Sequence, residues 1–192
     1  LNAKYDGFIR TREDRHIRGA QKLWSMCRPE DIYKKPYTGL YCVGCEAFYL
    51  EKDVEDNTCP VHKKELETIE EENYFFKLSA FQEKLEKLYE ERPDFVVPEA
   101  KFNEMKQLLK SGLEDISISR STKVLKWGIP VPGDDGQVIY VWFDALVNYI
   151  SAIGYGEDDE MMRKYWPADI HIIGKEINRF HSVLWPAMLM AA

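Results

Sequence analysis

Two short pairs of metal-ligand residues constrain this chain more than any other feature. Cys42 and Cys45 are separated by two residues, Cys59 and His62 are separated by two residues, and thirteen residues lie between the pairs. Each pair can hold one metal ion from a tight turn, and a Cys₃His set is typical of a closed, tetrahedral, structural zinc site. A pair of disulfides is disfavoured, because one of the four cysteines is the distant Cys27 and the fourth ligand position holds a histidine.

Composition and net charge limit the classes of protein to which this chain can belong. The 192 residues are 45% hydrophobic, which is enough for one or two domains with a core. The sequence contains no apolar run of membrane-spanning length and opens on no signal peptide, so no membrane partner is expected. Low cysteine use favours a reducing, cytoplasmic compartment. The net charge of −7 argues against a protein whose whole surface binds nucleic acid.

The order of apolar and turn-forming residues predicts an α/β chain. We expect a helix capped by Thr11 that ends near residue 26, a strand over 67–76, a helix through residues 78–88, a short helix over 103–109 and a strand over 116–120. The last third favours a strand over 138–143, a helix, a strand over 171–174 and a long helix from Lys175. Strand, helix, strand and helix together predict a parallel-sheet unit.

In open α/β sheets, ligands bind where strands end and helices begin. The first such place holds Trp142, Ala145 and Tyr149 at helical spacing, so that a small residue between two aromatics would form a slot. Without other information, a plain core stripe is the favoured explanation of this spacing, although Trp142 stands at the predicted end of a strand, where ligands bind. The second place is the turn at Gly174, Lys175 and Glu176, where a glycine allows close approach and a helix start attracts anions.

Four further residues follow the second place on the same helix. Ile177 and His181 lie one turn apart, and Phe180 and Trp185 add aromatic bulk. The predicted slot is apolar with one polar group, which suits an apolar side chain of medium size. A lone histidine on an apolar helix is more often a core residue, so His181 can be interpreted either as a core residue or as the polar group of the slot.

Several of these segments together resemble the methionyl-tRNA synthetase family. The stretches are YVWFDA at 140–145, NY at 148–149, HIIGKEI at 171–177, RFH at 179–181 and WPA at 185–187, with YDGFIRT at 5–11 and LEDISISR at 113–120. The segment YCVGCE at 41–46 is similar to the zinc-bearing insertion of that family. The resemblance covers essentially the whole chain in the same order.

The resemblance implies part of a Rossmann-like class I synthetase catalytic domain with an inserted small zinc-binding α+β domain. Residues 1–29 would be the end of the first catalytic half with an entry helix, residues 30–118 the connective peptide insertion, and residues 119–192 an incomplete second half. The family activates methionine with ATP and magnesium and transfers it to tRNA(Met). The implied methionine contacts are Trp142, Ala145, Tyr149, Ile177, Phe180, His181 and Trp185.

The resemblance also implies contacts to ATP. Gly174, Lys175 and Glu176 would contact the adenosine part, although the family commonly carries Asp where this chain carries Glu176. Arg120 would be the catalytic residue that faces the phosphates or the carboxylate. The two ATP signatures of the class, His-Ile-Gly-His and Lys-Met-Ser-Lys-Ser, are absent from the sequence. The stretch HIRG that starts at His16 is a chance likeness within a predicted helix, so we expect an internal piece of a longer enzyme.

Two other functions stay open at this point. A leucine, isoleucine or valine synthetase would share the class, but its branched substrate would not need the Trp142 to His181 slot, and those relatives carry a large editing domain. A zinc-ribbon module that binds nucleic acid without catalysis would need basic residues around its metal-binding turns. Residues 51–100 instead hold fifteen Asp/Glu against seven Lys/Arg.

Overall fold

Two antiparallel sheets organise the chain. The computed structural model describes residues 4–42, 44, 47–49 and 54–192, so the predicted ligand Cys45 lies outside the described residues. The first sheet has the strand order β2-β1-β3-β4 and the second has the order β5-β7-β6. The strands are β1 Ile32–Cys42, β2 Ala47–Tyr49, β3 Glu67–Phe76, β4 Ile116–Ser117, β5 Ser119–Ser121, β6 Pro130–Val131 and β7 Asp134–Ile139.

Helices cover the sheets and form most of the core. They are α1 Asp14–Met26, α2 Gln82–Glu91, α3 Glu99–Lys110, α4 Val141–Leu146, α5 Asn148–Ser151, α6 Asp159–Tyr165 and α7 Trp185–Ala191. Single 3₁₀ turns run over Leu78–Phe81 and Lys175–Ile177, and a π-helical turn covers Phe180–Leu184. Within the described part of the chain, no helix has the length and apolar character that crossing a membrane requires.

The pairing of β1 with β3, the longest among the described strands, positions Cys42, the first predicted zinc ligand. Strands β1 and β3 pair from Ile32 opposite Phe76 to Tyr41 opposite Glu67, and β1 then ends at Cys42. The predicted strand over 67–76 is therefore confirmed. Cys42, Cys59 and Leu66 form a small hydrophobic cluster of their own at this end. A cluster of this size buries little apolar area, so it contributes little stability without a further link.

A single large core joins the helices of the predicted insertion to the rest of the chain. Phe76 and Leu85 are buried in it, as are Leu23 from α1, Phe143 from α4 and Met188 from α7. The predicted helix through 78–88 is present as the 3₁₀ turn followed by α2. The helical part of the predicted insertion thus packs with the predicted catalytic part, whereas the knuckle forms the separate cluster.

Two helix boundaries differ from the expectation. Helix α1 begins at Asp14 after Glu13, not after Thr11, because the N–H groups of His16 and Ile17 both donate to the Glu13 carbonyl. Helix α3 begins after Pro98 and not at residue 103, since the N–H groups of Lys101 and Phe102 donate to the Pro98 carbonyl. The expected strand over 116–120 is divided between the two sheets as β4 and β5.

The predicted parallel-sheet unit is wrong for the described residues. The strand expected over 138–143 ends at Ile139, and helix α4 follows because the N–H groups of Phe143 and Asp144 turn back to the Tyr140 carbonyl. Strand β7 pairs antiparallel with both β5 and β6. An apolar run of this length fits a strand and a buried helix equally well, and here the bonds to the Tyr140 carbonyl show that the helix forms.

The last two expected elements also differ. Residues 171–174 are in no sheet, and the side chain of Ile172 is 93% exposed. A strand exists only where a neighbouring strand supplies hydrogen bonds, and among the described residues none lies beside this segment. The long helix expected from Lys175 is divided into the 3₁₀ turn, the π-helical turn and α7.

Candidate functional site

The centre of the candidate site is a pair of stacked aromatic rings from distant parts of the sequence. Trp142, near the start of α4, and Phe180, at the start of the π-helical turn, stack with ring centroids 3.6 Å apart and planes inclined by 7°. Both side chains are partly buried against the core. Such a stack forms a flat apolar surface of the size that an unbranched side chain can contact.

A hydrogen-bonded pair lies next to this stack. The Tyr149 hydroxyl and His181 Nε2 are 2.7 Å apart, and His181 Nδ1 is 2.9 Å from the Ile177 carbonyl oxygen. Because a carbonyl only accepts, Nδ1 carries a proton, and the Tyr149 hydroxyl donates to Nε2 whenever that atom is unprotonated. Burial raises the pKa of Tyr149, so the phenol stays neutral and remains a donor.

Further aromatic rings surround Tyr149. Its ring is 4.6 Å from the His171 ring in an edge contact and 6.4 Å from the Trp185 ring, and Trp166 contacts both His171 and Trp185. Burial and then the neighbouring His181 lower the pKa of His171. Trp185 is almost fully buried, and within the described residues its Nε1–H has no hydrogen-bond acceptor. An unpaired buried donor is costly, so this side chain gains from any rearrangement that supplies an acceptor.

Ala145 and Arg120 line a neighbouring cavity of about 340 Å³. Tyr140 and Asp144 also contribute to its wall. The Arg120 guanidinium is fixed on two sides, since Nη1 donates to the Ser117 hydroxyl and to the Ser119 carbonyl, both at 2.7 Å. The central guanidinium carbon, Arg120 Cζ, lies 3.7 Å from the centroid of the Tyr140 ring. The cavity therefore presents one oriented cation, the Arg120 guanidinium, and one carboxylate, that of Asp144, beside a largely apolar wall.

The turn at 174–176 lies on the surface. Lys175 and Glu176 are largely exposed and their charged groups are 3.7 Å apart. They line an open cavity of about 210 Å³ with Asn178, Arg179 and Glu104. Gly174 has an ordinary φ of −68°, and a Cβ at this position would meet only side-chain atoms of Glu176 and Ile177 at 3.5 and 3.9 Å, so neither backbone strain nor crowding requires a glycine here.

Three of the four predicted zinc ligands converge in the small knuckle cluster. One ligand atom from each of Cys42, Cys59 and His62 lies within 4.8 Å of the others. His62 Nδ1 is 3.6 Å from Cys42 Sγ and 3.9 Å from Cys59 Sγ. Tetrahedral coordination with ordinary zinc bond lengths places sulfur and nitrogen ligands about 3.6 Å apart, so the donor set fits the metal.

The local chain geometry supports the same cluster. The His62 backbone N–H donates to Cys59 Sγ at 3.3 Å. Burial raises the pKa of the Cys59 thiol, but hydrogen bonds from the His62 backbone and from the Cys42 and His62 side chains lower it by more, to about 5. A side chain at Gly44 would lie 3.1 Å from the His62 ring, so the glycine leaves room for that ring. The thiolate is the form of cysteine that binds metals.

Comparison with known proteins places these features in one family. The model of the class I (M) tRNA synthetases matches residues 1–68 and 49–192, which together are the whole chain. The chain belongs to this family. It is 53% identical to the methionine–tRNA ligase of Thermotoga maritima over 100% of this chain and 31% of the relative, and 52% identical to that of Caldanaerobacter subterraneus over 100% and 30%.

Solved structures agree with the relatives. The methionyl-tRNA synthetase of Mycobacterium tuberculosis in complex with methionyl-adenylate has a TM-score of 0.87 and 42% identity over 99% of this chain and 38% of that one. Its free form superposes with a TM-score of 0.86 and the same 42% identity. The chain therefore has the fold of part of a class I synthetase catalytic region, with helices and sheets mixed. It spans about a third of the length of the curated relatives that it matches.

One buried group in this synthetase chain has no signal in the sequence. His16, on α1, is fully buried, with Nε2 2.6 Å from Asp144 Oδ1 and Nδ1 2.9 Å from the Ser151 hydroxyl. The order of serine, histidine and aspartate resembles a nucleophilic triad, but Ser151 is only 1% exposed, so no substrate reaches it. The group instead ties α1 to α4 and α5. Its partners are more than a hundred residues away, so no local pattern indicates it.

Proposed function

We propose that this chain is the part of a methionyl-tRNA synthetase that binds methionine and carries a structural zinc ion. The complete enzyme joins methionine to tRNA(Met) through methionyl-adenylate, which it forms from methionine and ATP with magnesium. One observation carries the proposal. Trp142 and Tyr149 meet Phe180 and His181 although more than thirty residues of chain separate the two pairs. The similar Mycobacterium tuberculosis protein was solved with methionyl-adenylate.

The geometry suits the side chain of methionine. The stacked rings of Trp142 and Phe180 offer an apolar surface to the methylene and methyl groups, and thioether sulfur adds favourable contacts with aromatic rings. The Tyr149 hydroxyl can turn from His181 to the sulfur, which is a weak acceptor. Trp185 gains an acceptor for its unpaired N–H if it moves when the ligand binds. Ala145 and Ile177 complete the proposed set of side-chain contacts.

Activation of the amino acid needs a second set of contacts. A methionine carboxylate oxygen attacks the α-phosphorus of ATP, the bond to the bridging oxygen breaks, and pyrophosphate leaves. The proposed role of Arg120 is to orient the carboxylate or the phosphates with its fixed guanidinium. Gly174 and Lys175 would border the adenosine, and the exposed Glu176 carboxylate would accept hydrogen bonds from the ribose hydroxyls. In the second step a ribose hydroxyl of tRNA attacks the carbonyl and releases AMP.

We further propose that residues 30–118 form the connective insertion between two parts of the catalytic domain, residues 1–29 and 119–192. The separate knuckle cluster supports an insertion with its own small core. The helices α2 and α3 share the large core with α1 and α7, so this insertion would be anchored and not merely tethered.

The zinc proposal has a direct test. Cys42, Cys59 and His62 would hold the ion together with Cys45, whose position lies outside the described residues. With four protein ligands the ion has no open position, so it would stabilise the knuckle without taking part in the reaction. Metal analysis after purification without chelators should give about one zinc per chain, and Cys59→Ser should abolish it, whereas Cys27→Ser should retain it. A metal content that is independent of Cys59 would contradict the site.

The catalytic proposal is tested by methionine-dependent exchange of pyrophosphate into ATP. A complete synthetase that contains this chain should catalyse the exchange with methionine and not with leucine, isoleucine or valine. The 192-residue chain alone should not, because neither ATP signature occurs in its sequence. Exchange supported by leucine in preference to methionine, or exchange by the chain alone, would refute the proposal.

A further inference from the structure

A proline determines the shape of the turn that carries His181. Pro186 follows Ser182 by four residues, so a regular α-helix would need a Pro186 N–H to bond with the Ser182 carbonyl. Proline has no N–H, and its ring clashes with the carbonyl four residues before it. The chain widens here into the π-helical turn Phe180–Leu184, and the Trp185 N–H donates to the Phe180 carbonyl. Such turns within helices are frequent at functional sites.

The carbonyl that Pro186 leaves without its usual donor has a different one. The Tyr89 hydroxyl, on α2 in the predicted insertion, donates to the Ser182 carbonyl at 3.0 Å. Tyr89 is only 2% exposed, and its ring is fixed by stacking on Phe102 at 5.2 Å. Burial raises the pKa of Tyr89, which keeps the hydroxyl neutral and therefore a donor.

The side chain of Ser182 is fixed as well. Its hydroxyl donates to Asn178 Oδ1 at 2.6 Å, and both residues are buried. Ser182 is thus held at two atoms, the carbonyl from α2 and the hydroxyl from the preceding turn. His181 is its direct neighbour in sequence, and the bond from Tyr149 to His181 requires that the His181 ring keep its place.

We propose that Tyr89 is a positioning residue for the methionine site: its hydroxyl replaces the donor missing at Pro186 and thereby holds the π-helical turn in the geometry that presents His181 to Tyr149. The inference rests on the proposed function. It assigns the helical part of the insertion a role in methionine recognition, although Tyr89 does not touch the proposed site.

Tyr89→Phe in a complete synthetase tests this directly, because it removes one oxygen atom and retains the stacked ring. We expect the KM for methionine to rise about tenfold, the factor that follows from the loss of one buried hydrogen bond. The KM for ATP and kcat should stay within about twofold. The KM for norleucine should rise less than that for methionine, because norleucine has no sulfur for the Tyr149 and His181 pair.

Tyr33→Phe is the matched control. The Tyr33 hydroxyl also donates a hydrogen bond from within the predicted insertion, to Asp115 at 2.7 Å, and its ring stacks on Phe75, so both of these contacts stay inside the insertion. Its KM values should equal those of the wild type. If Tyr33→Phe raises the KM for methionine as much as Tyr89→Phe, the effect is a general weakening of the insertion and the proposal is wrong. A lower melting temperature of Tyr89→Phe without a change in KM would also overturn it.

A double-mutant cycle with Pro186→Ala isolates the mechanism. Alanine, unlike proline, has a backbone N–H that can bond with the Ser182 carbonyl, so Tyr89→Phe should matter less in that background, with a rise in KM of about twofold instead of tenfold. Equal effects of Tyr89→Phe in the two backgrounds would show that the Tyr89 hydroxyl does not act through the Ser182 carbonyl, and would overturn the inference.

Hydrogen exchange separates this inference from the proposed function. Tyr89→Phe should speed the exchange of backbone amides over residues 182–187 and leave those of β1 unchanged, whether or not methionine is the substrate. A complete protein without methionine-dependent activity would refute the proposed function. Unchanged exchange over residues 182–187 in Tyr89→Phe would refute the positioning role in either case.

Discussion

The hydrogen bond between Tyr149 and His181 offers the most specific test of the proposed substrate. Tyr149→Phe removes the hydroxyl and leaves the ring against Trp185 and His171. In the proposed function this hydroxyl is the group that recognises the methionine sulfur. Its loss should therefore affect methionine more than an apolar analogue of the same length.

The expected size follows from the geometry. A neutral hydrogen bond contributes about 1 kcal/mol net, and more when its loss strands a fully buried partner. Tyr149 and His181 are only partly buried, so water can replace the hydroxyl and the lower value applies. A change of about 1 kcal/mol corresponds to roughly a fivefold fall in kcat/KM for methionine. For norleucine we expect a fall of about twofold. His181→Ala should cost more, about 2 kcal/mol, because two hydrogen bonds are lost, one with the Tyr149 hydroxyl and one with the Ile177 carbonyl.

Pyrophosphate exchange kinetics with both amino acids measure this difference. Tyr155→Phe serves as the control, since it deletes a partly buried hydroxyl from a ring that contacts the Lys22 ammonium on α1. If Tyr149→Phe slows methionine and norleucine by the same factor, the hydroxyl supports the fold and does not read the sulfur. The alternative interpretation of His181 as a plain core residue would then be correct.

Three further outcomes are expected. The lowered pKa of His171 means that the unfolded state binds more protons, so stability should fall as pH drops below about 6.5, and urea titrations of His171→Gln should show a weaker pH dependence. His16→Ala should reduce the free energy of unfolding by about 2–4 kcal/mol in chemical denaturation, because two buried hydrogen bonds are lost. Ala145→Leu should raise the KM for methionine in exchange assays and leave the KM for ATP nearly unchanged, because the larger side chain would fill the proposed slot.

Local signals in the sequence were sufficient for the features that local interactions determine. The pair spacing predicted that Cys59 and His62 lie together, because a turn of two residues brings its own ends together wherever it occurs, whereas Cys42 was added to them by its ligand chemistry. The alternating and helical patterns likewise predicted β3 and α2. Each of these depends on residues close in sequence, which is the range over which periodicity carries information.

The last third of the chain shows where such signals fail. The run from Val138 is apolar and β-branched, yet the strand stops at Ile139, because the Tyr140 carbonyl accepts from N–H groups three and four residues later. Residues 171–174 satisfy the pattern of a buried strand, yet Ile172 is 93% exposed and no described strand pairs with them. A strand depends on a partner, and the pattern of one segment does not say whether that partner is next to it.

The side chains proposed to contact the substrate lie in local motifs of the sequence, whereas the side chains that bond to their neighbourhood from distant segments do not. Trp142 and His181 lie in motifs where strands or turns give way to helices, so position and residue type both indicate them. His16 lies far in sequence from Asp144, and Tyr89 lies far from Ser182. Each of these pairs is joined by one hydrogen bond. The choice of a hydrogen-bond partner has no period along the chain. The partner depends on which backbone carbonyl lacks a donor at the point where two distant segments come into contact. Here the Ser182 carbonyl lacks its helical donor because Pro186 has no N–H.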